Sequence, residues 1–230
     1  MDNYFVSSCK RVKDWICRQF GQKEKKTVHH KKFADGGEVI VWETGRAGEE
    51  AASYEHLFLR KEIAGFRTNI RREQSCSIKS LTRDYLYKQL LSSGEYTFDH
   101  MLVIKDPYGE APLTALALFI LEEPACVRVT TKGNLKETDF VTELPKKKEH
   151  RVPILGMYAE KANDIVIEIL DDEGNCVKSH TFTIRTKRLP KSLRNVITVK
   201  KWTDKPAYSN IMINGGVKIH TCVFDIEGEI

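Results

Sequence analysis

No proline occurs before Pro107, although all seven of the chain's prolines lie from there on. The first hundred residues therefore lack the strongest helix breaker, and helices are expected there. Cysteine is sparse and scattered. The six, at 9, 17, 76, 126, 176 and 222, include no CxxC pair, which excludes a zinc module and a dense disulfide scaffold. Cys126 and Cys176 could mimic an immunoglobulin-type bridge. In Cys126-Val127-Arg128-Val129-Thr130, however, the cysteine shares parity with Arg128 and Thr130, so it should point outward, and free thiols are expected. An N-terminal apolar core is missing too, since Lys10, Arg11, Lys13, Asp14 and Arg18 interrupt Met1 to Phe20. The longest apolar run, Leu113 to Leu121, is too short to span a membrane. On this reading the chain is neither exported nor membrane-spanning, and a cytoplasmic location follows. Net charge is small, +5 from 37 basic and 32 acidic residues. With no basic motif interleaved by aromatics, a nucleic-acid partner is not expected, the basic stretch Lys10 to Lys32 notwithstanding.

What is present divides in two. In the first part Ser8 can cap a helix to about Phe20, with Val12, Trp15 and Ile16 on one face and Gly21 as its stop. Lys23 to Lys32 is a charged linker, and His29-His30 in it lacks a third ligand at usable spacing, so both should face solvent. Glu38 to Trp42 predicts a short strand. Helical segments follow from about Gly48 to Ala64 and from Ser77 to Leu91, the latter with Ile78, Leu81, Tyr85 and Leu86 on one face. They form a cap or a loose appendage.

From Tyr96 the period switches to two. The pivot is Asp106-Pro107-Tyr108-Gly109-Glu110-Ala111-Pro112, turn chemistry that feeds Leu113 to Leu121, a strand buried on both faces. Glu122-Glu123-Pro124 predicts a turn, and Pro145 to Glu149 an exposed loop. Pro153 within Arg151 to Gly156 makes that stretch an edge strand or a bulge. The clearest hairpin joins Asp164–Leu170 to Val177–Thr186 through Asp171-Asp172-Glu173-Gly174-Asn175, with Ile165, Ile167 and Ile169 on one face. Such strands at roughly ten-residue spacing describe a β-sandwich. The fold class expected is mainly β, an immunoglobulin-like β-sandwich preceded by a helical, charged N-terminal segment. Its divisions fall at 1–92 (helical and basic), 96–188 (sandwich) and 189–230, where Leu189-Pro190 opens a linker and Val217 to Phe224 has no strand following it to pair with.

Several of these stretches together resemble the N-terminal part of the bacterial, PAPS-independent aryl-sulfate sulfotransferases. They are Asp106 to Gly109 with Ala111 to Leu116, His150 to Tyr158, the hairpin with Asp172 to Asn175, Leu189-Pro190, and Phe224 to Ile230. The resemblance covers about Tyr96 to Ile230. It implies an immunoglobulin-like domain ahead of a six-bladed propeller. In the propeller a histidine takes the sulfuryl group from a phenolic sulfate ester and passes it to a phenol, which is covalent catalysis in two steps. Phe224 to Ile230 would begin that propeller, so the chain is expected to be a portion ending before the catalytic part and inactive alone.

No histidine here matches the family's nucleophile. His150 is expected to be structural, and His180 and His220 lie on predicted strands with no Asp, Arg or second His at a telling distance. No catalytic, cofactor-binding or metal residue is assigned, and no cofactor is expected. The partner is the propeller domain or a second copy of the chain. A phenolic sulfate would be a substrate only of the longer parent, whose family is usually periplasmic or exported. The alternative is a stand-alone immunoglobulin-like interaction or dimerisation module.

Overall fold

A computed structural model describes residues 28–33, 36–54, 72–189, 210–213 and 222–225. The helix expected over Ser8–Phe20 lies outside them. β1 (Val28–Lys32) and β2 (Glu38–Trp42) pair antiparallel, then α1 (Thr44–Ala52) and α2 (Arg72–Ser92) precede β3 (His100–Lys105). β4 (Ala115–Thr131), β5 (Phe140–Ile154), β6 (Ala162–Leu170) and β7 (Cys176–Arg185) follow. These seven strands form one sheet in the order β1-β2-β3-β4-β6-β7, with β5 along the other edge of β4. All pairings are antiparallel except β2 with β3.

The sheet bends because β4 serves two neighbours on one edge. Its first part pairs with β3 (Leu118 opposite Leu102) and its last part with β6 (Val129 opposite Ile167). β5 accompanies it throughout, with register breaks between Ile120 and Ala125 and between Ala125 and Val127. Each break lets the ladder turn. Pro124 stands in this irregular stretch, where its missing N–H interrupts no regular ladder. Glu122-Glu123-Pro124 is thus a bend within one 17-residue strand, not a turn between two. The two halves of the sheet fold over one another.

Alternation decides which side chain enters which layer. Val39, Val41, Met101, Val103, Ala117 and Phe119 point into the sandwich, where they meet Val127, Val129, Ile165, Ile167, Phe182 and Ile184. Their neighbours Ile40, Trp42, Leu102, Ile104, Leu116 and Leu118 point to the opposite face and meet Ala47, Ala51, Leu86, Tyr87 and Leu91 of the helices. A strand buried on both faces needs apolar residues at consecutive positions, which is what the run at Ala115–Leu121 supplies. The helices are a cap, and the chain ahead of residue 92 gives the sheet two strands.

Four local expectations change. Val28–Lys32, read as linker, is an edge strand, and its lysines and histidines suit an edge. His29 and His30 are exposed as expected. Leu81 lies on the exposed side of α2 (42% exposed), because the buried face runs through Thr82, Leu86, Tyr87 and Leu91. Pro145 to Glu149 is exposed, but within β5, whose outer edge has no partner strand among the described residues. Cys222–Asp225 pairs antiparallel with the upstream Asn210–Ile213, so that part of the final stretch has a partner after all.

The predicted hairpin is β6–β7. Asp171 accepts the amides of Glu173 and Asn175 at 3.0 and 2.7 Å on Oδ1, and Gly174 takes φ of 84° to close the turn.

Candidate functional site

The loop Asp106 to Thr114 links β3 to β4 and is locked from within. Asp106 donates its amide to the Thr114 carbonyl at 2.8 Å, and its Oδ1 accepts the Ala111 amide at 2.8 Å. Gly109, at φ of 81°, donates to the Asp106 carbonyl at 3.0 Å. α2 then clamps the loop. The Tyr87 hydroxyl and Arg83 Nη1 both donate to the Pro107 carbonyl, the latter at 3.1 Å. Tyr108 donates to Asp84 at 2.7 Å, and Arg151 of β5 donates to the same carboxylate oxygen at 2.5 Å. Burial first, then the bond to Asp84, pushes the Tyr108 phenol up to about 12. A phenol held protonated beside a paired arginine is a strut. It ties loop, helix and β5 together.

His180 alternates with Ser179 and Thr181, so it shares the inward face of β7 with Phe182 and Ile184. It is 2% exposed. Nε2 donates to Asp99 Oδ1 at 2.7 Å, a partner 81 residues away that sequence spacing did not reveal. Its ring stacks on Phe33 with centroids 3.8 Å apart and on Phe98 at 4.5 Å. Partial burial works to raise the Asp99 carboxyl, but bonds from Lys178 and His180 outweigh it and hold the group below its usual range. Here β7 is fastened to the segments before β2 and β3, across the open side of the sandwich.

His150, also 2% exposed, sits at the sheet's bend. Nε2 donates to the Lys147 carbonyl at 2.9 Å, and the backbone of Ala125 meets the ring from β4. It stacks on Phe119, 5.3 Å away, and Phe119 meets Phe98 at 5.4 Å. Five rings (Phe33, His180, Phe98, Phe119, His150) thus run through the core from the open side to the bend.

Burial, aided by the charge of Lys147, pushes the His150 imidazole below its ordinary value. The neutral form is the folded one, so its contribution to stability is complete above the unfolded value near 6.5 and is lost as pH falls through it. The urea midpoint is expected to drop between about pH 8 and about pH 5, and His150→Asn to flatten that slope. An unchanged slope in the variant would refute this assignment.

A nucleophilic histidine must present a ring lone pair where the transferred group can reach it. In both buried histidines Nε2 carries a proton directed at an acceptor, and at 2% exposure the rest of the ring, Nδ1 included, is closed off from an incoming group. The other described histidines face carboxylates: His100 and His30 lie 3.0 and 3.7 Å from Glu38, and His29 lies 3.8 Å from Glu43. His220 lies outside the described residues. No group of three or more His, Cys, Asp or Glu among the described residues is arranged to hold a metal ion. Cys126, half-buried, and Cys176, exposed, are free. No described helix is long and apolar enough to cross a membrane.

This frame of bent sheet, locked loop and hairpin coincides with a family match. Residues 102–187 match the arylsulfotransferase Ig-like domain. The match begins within β3 and ends just after β7. No curated protein matches the chain. α1 and α2 lie ahead of the matched residues yet cover their outer face, β1 and β2 extend their sheet, and the chain before residue 102 supplies Phe33, Tyr87 and Asp84 to the fastenings. Parity could have revealed both buried histidines in the sequence. Lys147 lies three residues from His150 on the same strand, but Phe119 and Ala125 of β4 and the His180 partners Phe33, Phe98 and Asp99 come from distant segments and could not be read from spacing.

Proposed function

We propose that the chain is the non-catalytic, N-terminal portion of an aryl-sulfate sulfotransferase, with its Ig-like domain serving as the scaffold beside a catalytic propeller. In that enzyme a propeller histidine attacks the sulfur of a phenolic sulfate ester, the S–O bond to the phenolate breaks, and a sulfohistidine forms. A phenol then takes the sulfuryl group and restores the histidine. The observation that carries the reading is the family match over residues 102–187, in a domain whose two histidines are both buried and hydrogen bonded. The partner is the propeller domain, and sulfuryl transfer is the activity of the two together.

The test is turnover. The 230-residue chain, incubated with p-nitrophenyl sulfate and a phenol acceptor, is expected to release no nitrophenolate above the buffer rate. Release that persists through purification and saturates with substrate would overturn the proposal.

A further inference from the structure

A cleft of about 400 Å³ opens between the last turns of α2 and the outer edge of β5, a size in the range of small-molecule sites. Leu91, Leu144 and Pro145 give it an apolar wall, and Lys88, Lys147 and Arg151 bring cations to it from both elements. The cations are not equivalent. Arg151 is bound to Asp84, and nearby Lys146 to Asp172. Lys88 and Lys147 have no ion-pair partner among the described residues. Glu149 is the one carboxylate on the lining.

Two neighbours of the cleft do not offset this charge. The final carbonyls of α2 are already engaged: Gln89 by the Ser93 amide at 3.0 Å, Leu90 by the Ser93 hydroxyl at 2.7 Å, and Leu91 by the Gly94 amide at 3.1 Å. The negative end of the helix is therefore muted. His150 lies at the base of the cleft, with its Nε2 proton committed to the Lys147 carbonyl. The lining thus combines an apolar wall with two cations that have no ion-pair partner among the described residues.

We propose that this cleft binds a small organic anion with a flat apolar body, its anionic group between Lys88 and Lys147 and its body against Leu91, Leu144 and Pro145. The site is separate from the sulfuryl-transfer chemistry proposed above and does not rest on it. Binding of naphthalenesulfonate to the full chain, followed by backbone amide spectra, tests it. The expected shifts fall on Lys88–Ser92 and Leu144–Arg151. Neutral naphthol and inorganic sulfate, each lacking half of the ligand's chemistry, should bind at least about tenfold more weakly. The exposed pair Lys88→Glu with Lys147→Glu should weaken binding by about tenfold, and Glu149→Gln should tighten it, with urea midpoints showing that each variant is folded. Equal binding of naphthol or of sulfate, shifts confined elsewhere, or affinity unmoved by the charge changes would overturn the proposal.

Discussion

His180→Ala is expected to lower the unfolding free energy by about 3–4 kcal/mol, read from urea denaturation. The loss has three parts. The ring is sandwiched between Phe33 and Phe98, so its removal opens a cavity that two phenylalanines cannot both close. The hydrogen bond to Asp99 goes, and with it one anchor between β7 and the segment ahead of β3. Asp99 keeps Lys178, 2.6 Å away, and remains half exposed, so the orphaned carboxylate adds little. His180→Phe separates these terms. It keeps an aromatic ring of similar size and should cost only about 1 kcal/mol, the worth of the bond. If alanine and phenylalanine cost the same, the stack is not what fastens the open side of the sandwich.

Gly156→Ala should be as damaging, about 2–5 kcal/mol. Gly156 follows β5 in the stretch that begins at His150, at φ of 77°, where an L side chain is strained. A Cβ there would also lie 2.6 Å from Phe140 Cβ, far inside contact distance, and Phe140 is held by its strand. Gly174→Ala is the control. It has a similar φ of 84° but nothing within 4 Å, so strain alone, about 1 kcal/mol, is expected. Thermal unfolding of the two variants side by side decides the point. A smaller loss at Gly156 than at Gly174 would mean that the chain relaxes around Phe140.

Much of the β framework was legible because its signals are local. Ile165 and Ile167 alternate toward the core, Asp171 and Gly174 close the turn between their strands, and the apolar run at Leu113–Leu121 announces a strand covered on both faces. The motifs at Asp106–Leu116 and His150–Tyr158 resembled an arylsulfotransferase, and the family match spans both. What failed did so for physical reasons. An edge strand needs charge to resist pairing, so Val28–Lys32 resembled a linker and Pro145–Glu149 a loop. A bent strand can carry a proline at its register break, so Glu122–Pro124 resembled a turn. The face of α2 slipped by one residue, because Leu81 competes with Thr82 in the pattern and the fold buries the threonine. The Asp99–His180 contact depends on how the two halves of the sheet fold together, which no spacing along the chain encodes.

His150 and His180 are expected to hold the fold and not to accept a sulfuryl group. Mass spectrometry of the intact chain after incubation with excess p-nitrophenyl sulfate, followed by peptide mapping, tests that most directly. The expected result is an unmodified chain, with His150 and His180 unlabelled. A sulfuryl adduct on either residue would contradict the account, because each would have to leave its ring stack and its hydrogen bond to become a nucleophile.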